Sequence, residues 1–162
     1  MRSAIAAALV LLATGARADI AVRFQEGAPK DRFSFENRGA CVLTGDLRLD
    51  LESSRGGLVF DVSAAGAGVE VFQPFDLVEG ADHVRGVPVV ADGDRAVVLR
   101  VADWPAGARI AFTIDVDDTL KGREITVSDA EIAGATVAFA GGGETRAVFA
   151  GPSVMLPAPP CP

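Results

Sequence analysis

Three aspartates and a threonine end the stretch RIAFTIDVDDT, residues 109–119, and such oxygen-bearing side chains can bind cations or transfer protons. The residues before them alternate between apolar and polar, which predicts a β-strand. On that strand Asp115 and Asp117 share the outer face with backbones about 7 Å apart, so both carboxylates can reach one ion. Asp118 and Thr119, at the strand end, add further oxygens.

These oxygens suit Ca²⁺, which takes about six to eight oxygen ligands, so a second loop would have to contribute. The available donors are Asp61, Glu70, Asp92 and Asp94. The chain has neither the EF-hand spacing nor the nonapeptide calcium repeat. The spacing of these residues alone therefore favours solvated carboxylates at a solvent-exposed strand end. A metal site at Asp115, Asp117 and Asp118 is therefore the alternative that the sequence leaves open.

A carboxylate pair could instead hydrolyse a glycosidic bond, with one group as acid and the other as base or nucleophile. That reaction also needs a cleft with aromatic platforms, and the chain has no Tyr and one Trp, Trp104. His83 is the only histidine, in a predicted loop, which excludes zinc sites with several histidines. We predict no catalytic residues, and a small exported carboxylate-dependent hydrolase is the alternative.

Strands must position these side chains, because apolar residues recur at every second position through most of the chain. The stretches with this pattern are 20–24, 32–37, 46–52, 58–62, 69–72, 87–90, 96–102, 109–116, 123–128, 136–140 and 145–149. Turns rich in Gly separate them. Short strands at this spacing, with one polar face, predict an all-β fold, an antiparallel sandwich. We expect an immunoglobulin-like β-sandwich, with a jelly-roll-type sandwich as the alternative.

The two ends of the chain differ from this pattern. Residues 1–18, MRSAIAAALVLLATGARA, have the early Arg, the short apolar run and the small-x-small ending of a secretory signal peptide. Residues 151–162 contain several prolines and no periodicity, so we predict an extended Pro-rich tail. One β-sandwich domain over residues 19–150 is expected between them, in an exported protein of the periplasm or the extracellular space.

The charge of the chain restricts its partners. Removal of Arg2 and Arg17 with the signal peptide reduces the 15 basic residues to 13, against 22 acidic ones, for a net charge of −9. Such a chain repels phosphate backbones and anionic lipids, so nucleic acid and membrane surfaces are disfavoured as partners. The apolar run of the signal peptide is also too short to span a bilayer.

The mature chain has two cysteines, Cys41 and Cys161. Export permits a disulfide, and an even count fits one bridge. Cys161 lies in the Pro-rich tail, from which it could pair with Cys41, cross-link to another chain or stay free. Self-association is therefore one of the possibilities.

Several stretches together resemble a known group of proteins: APKDRFSFENRGAC, GLVFDVSAAGAGVEVFQPF, DGDRAVVLRV, FTIDVDDT and ITVSDAEIAGATV. They are similar to bacterial exported proteins described as resembling the core protein of the sponge aggregation factor. The resemblance covers about residues 20–140 and implies a non-enzymatic, extracellular role in adhesion or assembly. Because the sponge core protein belongs to an adhesion proteoglycan whose aggregation depends on calcium, the resemblance also favours a cation at DVDDT. A periplasmic accessory module without a ligand is a further alternative.

Overall fold

The computed structural model describes residues 19–63, 73–120, 127–159 and 161, and these residues are organised as β-strands joined by turns. The strands, in chain order, are β1 (Asp19–Gln25), β2 (Asp31–Asn37), β3 (Leu43–Asp50), β4 (Val59–Asp61), β5 (Asp76–Glu79), β6 (Ala96–Trp104), β7 (Arg109–Asp117), β8 (Thr136–Ala140), β9 (Glu144–Val148) and β10 (Ser153–Pro157). A 3₁₀ helix covers Ala81–His83. The predicted signal peptide, the predicted strand at 69–72 and most of that at 123–128 lie outside the described residues.

The described strands form two antiparallel sheets. The larger has the order β10-β1-β2-β7-β4, with β5 also pairing with β7, and the smaller has the order β6-β3-β8-β9. This arrangement confirms the predicted all-β antiparallel sandwich. Whether it is of the immunoglobulin or the jelly-roll type stays a prediction.

β7 is a central strand of the larger sheet, and its inward face carries the core as the alternation predicted. Ile110, Phe112 and Ile114 are fully buried. The Phe112 ring packs against three other rings, with centroid distances of 5.2 Å to Phe33, 5.9 Å to Phe35 and 4.7 Å to Phe75. Aromatic burial of this kind stabilises the sandwich strongly, so the position of β7 is set by its inward residues.

The prediction of a strand at 87–90 was wrong. This segment runs beside β6 without strand pairing, and the isolated bridge here, between Val84 and Val101, precedes it. Pro88 has no backbone N–H to donate to a ladder. Val89 is 96% exposed, so the alternation of the segment does not reflect a buried face. β5 was not among the predicted alternating stretches, because in DLVE the two apolar residues are adjacent.

The boundary predicted at residue 150 was also wrong, because the sandwich continues into the Pro-rich segment. β10 pairs with β1 at the edge of the larger sheet, and Leu156 is fully buried. Prolines are tolerated here because one side of an edge strand needs no hydrogen-bond donors.

A disulfide closes the domain by joining Cys41 to Cys161, with a Cα–Cα distance of 5.7 Å. The sequence alone left this pairing open beside two alternatives. The two residues are 120 positions apart in the chain. Closing so long a loop stabilises the folded state by about 4–5 kcal/mol in the chain-entropy model.

Candidate metal centre

Three aspartates meet where β4 pairs with β7, at the end of β7. In this ladder Asp61 lies opposite Asp115, and Val59 lies opposite Asp117. Side chains at alternate positions of a strand share a face, so Asp115 and Asp117 project to the same side as Asp61. One carboxylate oxygen from each of the three lies within 4.8 Å of the others.

Asp61 is the most buried member of this trio. Its residue surface is 2% exposed. Both carboxylate oxygens are buried, and neither has a hydrogen bond of ordinary geometry within the described part of the chain. The Ser63 backbone N–H is nevertheless close enough to lower the pKa of Asp61, and the Asp92 carboxyl is close enough to raise it. Buried carboxylates are normally well hydrogen-bonded or paired with a cation, so the charged form of Asp61 is poorly compensated by the described residues.

Burial and repulsion between carboxylates raise the pKa values of two members of the trio, Asp61 and Asp115. Burial, followed by the neighbouring carboxylates of Asp92 and Asp117, raises the pKa of Asp61 to about 7. Burial and then the charge of Asp117 raise the pKa of Asp115 to about 6, while the charge of Lys30 acts in the opposite direction. The site therefore favours neutralisation, by protons or by a cation.

Asp31, at the start of β2, supports the same region from beside β7. It is 3% exposed, and its carboxylate accepts backbone N–H groups from Gly27 at 3.1 Å and from Val116 at 3.1 Å. Burial and the charge of Asp115 nevertheless raise its pKa to about 7. Because Val116 lies between Asp115 and Asp117, the bond from its N–H fixes the backbone that presents both.

The geometry of the trio fits a divalent cation. Two oxygens bound to one Ca²⁺ at about 2.3–2.6 Å are at most about 5 Å apart, and the separations within the trio satisfy that limit. Asp92, which accepts the Val62 N–H at 3.3 Å, lies close enough to Asp61 to act on its pKa. A fourth carboxylate is therefore available from the turn that precedes β6.

Lys30 provides positive charge near the aspartate trio, but its ammonium group already interacts with other residues. Its ammonium donates to the Pro74 carbonyl at 2.6 Å and forms an ion pair with Asp76. Its charge therefore offsets only part of the negative charge of Asp115.

The structure brings together two of the three predicted ligands, Asp115 and Asp117. Asp118 is 5% exposed and is not part of the trio, because the pleat turns it to the side of Val116. Of the suggested second-loop donors, Asp61 belongs to the trio and Asp92 lies beside it. Asp94 instead accepts the Ala91 N–H at 2.8 Å within its own turn. Glu70 lies outside the described residues.

Asp31 was missed by the sequence analysis, although its signal was present. In DRFSF it occupies the same alternating series as Phe33 and Phe35, which are fully buried. A carboxylate at an inward position next to two core phenylalanines predicts either a hydrogen-bonded brace or a perturbed pKa.

The other residues considered for chemistry lie away from the trio in sequence and sheet position. His83 ends the 3₁₀ helix Ala81–His83, which packs beside β6 in the smaller sheet, and it is half-buried. Within the ranges that the structure describes, no helix is long and apolar enough to cross a membrane.

Comparison with known proteins found no matching family model, curated protein or solved structure. The resemblance to the aggregation-factor core proteins therefore stays a prediction.

Proposed function

We propose that this protein is an exported, non-enzymatic β-sandwich module for adhesion or assembly, and that it binds Ca²⁺ at Asp61, Asp115 and Asp117. The single observation that carries the cation site is the buried Asp61 carboxylate, which has no hydrogen bond of ordinary geometry among the described residues and lies within 4.8 Å of two further carboxylates. A divalent cation supplies the missing positive charge. The resemblance of the sequence to aggregation-factor core proteins supports the adhesive role.

The proposed cation has a structural consequence for the sheet. β4 is three residues long and pairs with β7 along its whole length. An ion bound by Asp61 of β4 and by Asp115 and Asp117 of β7 would cross-link the two strands. Ca²⁺ would then stabilise this edge of the larger sheet and the loops that enter it, which is how a cation can control a binding surface.

Hydrolysis by the same carboxylates is the weaker interpretation. A catalytic carboxyl must reach a substrate bond, and Asp61 is 2% exposed. Two concave surfaces lined by described residues occur elsewhere, one on the larger sheet and one beside β6, and their linings contain none of the three aspartates.

A thermal melt at pH 8 with increasing CaCl₂ tests the proposal. We expect the melting temperature of the chelator-treated wild-type protein to rise with Ca²⁺ as binding to the folded state stabilises it, and EDTA should reverse the rise. Asp61→Asn should abolish most of this shift. Asp103→Asn, an exposed aspartate on β6, is the matched control and should respond as the wild type does.

Size-exclusion chromatography of the same samples addresses assembly. Ca²⁺-dependent self-association that Asp61→Asn abolishes would support an assembly role for the module. An unchanged melting temperature at millimolar Ca²⁺ would disprove the cation site. A shift that Asp103→Asn removes as fully as Asp61→Asn would mean that Ca²⁺ acts through net charge instead.

A further inference from the structure

The outer face of the larger sheet contains a second feature, an open groove of about 560 Å³ across β10, β1, β2, β7 and β5. It lies near the start of β7, whereas the aspartate trio lies at the end of that strand. We call it the arginine groove because four arginines line it: Arg23, Arg32, Arg38 and Arg109.

The floor of the arginine groove combines the small side chains of Ala21, Ser34 and Ser153 with the larger Met155. Register pairs Arg23 with both Ser34 on β2 and Ser153 on β10, and it pairs Ala21 with Met155. Ala and Ser at these outward positions leave the sheet surface low between the long arginine side chains. An extended chain can lie close to such a floor.

The charge of the groove is opposite to that of the protein. Four arginines and two glutamates, Glu36 and Glu79, line it, for a local charge of +2 in a chain of formal net charge −7. A cationic patch on an acidic protein attracts anionic groups, whereas the rest of the surface disfavours them.

Three of the arginines already have carboxylate partners. Arg32 pairs with Glu79 at 2.9 Å, and Glu36 accepts from Arg38 at 3.3 Å and lies 3.6 Å from Arg109. Arg23 is exposed and makes no ion pair with any residue that the structure describes. Its guanidinium is therefore available to a ligand at the centre of the floor.

We propose that the arginine groove binds an extended acidic segment of a protein partner, with a carboxylate of that segment paired to Arg23. The planar guanidinium matches a carboxylate in a bidentate geometry. The flanking Arg32, Arg38 and Arg109 add attraction, while Glu36 and Glu79 can accept N–H groups from the peptide.

The mixed lining distinguishes a peptide from the other anions that arginines bind. A densely sulfated or phosphorylated polymer places a negative charge at every unit, so Glu36 and Glu79 would repel it. Neutral sugars bind largely by stacking on aromatic rings, and the lining residues include none. The ligand that fits is one with isolated carboxylates between uncharged groups, which is the pattern of an acidic peptide.

This inference rests on the proposed role as a binding module but not on Ca²⁺. The arginine groove determines which partner binds, whereas the aspartate trio at the other end of β7 binds the cation. The two can therefore be tested apart, because peptide binding can be measured in EDTA.

The experiment uses an array of immobilised random octapeptides, probed with the labelled mature protein in EDTA at low salt. We expect enrichment of Asp and Glu in the bound peptides. The best peptide, synthesised with a fluorophore, should bind Arg23→Gln about tenfold or more weakly than wild type. Raising NaCl to 0.5 M should also weaken binding, because exposed ion pairs are screened.

Arg100→Gln is the matched control, since Arg100 is likewise exposed on a strand, but on β6 of the other sheet. It should bind the peptide as the wild type does. Both substitutions lie at exposed positions, and unchanged melting temperatures would show that both variants fold. The peptide with Gln in place of its acidic residues should lose binding on the wild-type protein.

Three results would overturn the inference: no enrichment of acidic residues, equal binding by Arg23→Gln and wild type, or capture by immobilised dextran sulfate without capture by the array. The last result would identify a polyanion surface. Loss of peptide binding with a normal Ca²⁺ shift would reject only the groove. The converse would reject only the cation site.

Discussion

The outer face of β7 carries positive charge at the start of the strand and negative charge at its end. The two ends differ in how far their charged groups are buried and paired. At the start of the strand, Arg109 belongs to an exposed set of arginines that share Glu36 and Glu79 as partners. At the end, Asp115 and Asp117 join Asp61, whose carboxylate is buried and has no hydrogen bond of ordinary geometry among the described residues. One strand and one sheet face thus contain a region in which most charges are paired and exposed, and a region in which like charges are buried together.

The comparison shows that burial, and not the number of charges, decides which end can depend on a ligand. Exposed ion pairs contribute about 0–1 kcal/mol each, because water screens them and already solvates their partners. Buried carboxylates lose that solvation, so their charged forms are disfavoured until a proton or a cation arrives. Stability should therefore respond to pH and to cations through the acidic end.

The largest loss of stability is expected from a substitution in the hydrophobic core beneath β7, which supports both ends of the strand. Phe112→Ala leaves a cavity among Phe33, Phe35 and Phe75 and should reduce the free energy of unfolding by about 3–5 kcal/mol. Urea denaturation measures the loss. Val89→Ala, at a position that is 96% exposed, is the control and should change stability little. A loss below about 1 kcal/mol for Phe112→Ala would contradict the central position of β7.

The next effect is the pH dependence of the acidic end. The unfolded carboxyls titrate at the ordinary pKa of 3.8, whereas the folded values are about 7 for Asp61 and about 6 for Asp115. The folded state therefore binds more protons at these two sites, and the stability that Asp61 and Asp115 contribute in EDTA is fully present below about pH 4 and is lost as pH rises towards 7. The charges of Asp92, Asp117 and Lys30 act on the same pair.

Asp61→Asn isolates this dependence, because its amide cannot ionise and can donate to a neighbouring carboxylate. We expect the variant to exceed the wild type in stability by about 1–2 kcal/mol at pH 8 in EDTA, and by almost nothing at pH 4.5. Melts across this range, with Asp103→Asn as reference, give the difference at each pH. A difference that is constant with pH would show that Asp61 is not desolvated.

A smaller loss of stability is expected from removing the positive charge of Lys30, which offsets part of the negative charge of the aspartates at the end of β7. Lys30→Met eliminates the ion pair with Asp76 and the charge that opposes that of Asp115. Stability at pH 8 in EDTA should fall by about 1 kcal/mol. The acidic end would become less compensated, so Ca²⁺ should stabilise this variant at least as much as it does the wild type. A smaller Ca²⁺ shift than in the wild type would argue against that view.

The smallest effect is expected at the compensated end. Glu79→Gln removes the partner of Arg32, whose side chain is 37% exposed, and should change stability by no more than about 0.5 kcal/mol. Its dependence on Ca²⁺ should match that of the wild type. If urea titration showed that Glu79→Gln lowers the free energy of unfolding by several kcal/mol, the ion pairs at the start of β7 would not be the weak, exposed kind.

Much of the fold could be predicted because alternation encodes a half-buried strand directly. The inward residues of β7, Ile110, Phe112 and Ile114, are buried as the period of two requires. The same rule failed at 87–90, where alternating valines face solvent, since periodicity cannot show whether a second sheet covers a face. β10 was missed because its few residues show no period, and its place depends on the free edge of β1.

The candidate site was predicted in part for a related reason. Side chains two positions apart in a strand lie on the same face, so the sequence alone placed Asp115 and Asp117 together. Asp61 joins them only through the β4–β7 register, which brings together positions 54 residues apart in the chain. Asp118, adjacent in sequence, falls on the other side of the strand. Proximity along the chain therefore could not show that Asp61, and not Asp118, lies within 4.8 Å of Asp115 and Asp117.

By itself, the sequence determined the strand period, the inward residues of most strands and the two aspartates on one face of β7, because each depends on local backbone geometry. Only the tertiary structure decided the partner of each strand, the burial of Asp61 and Asp31, and the pairing of Cys41 with Cys161. The physical reason is desolvation. A carboxylate acquires an unusual pKa or a need for a cation only when other parts of the chain remove its water.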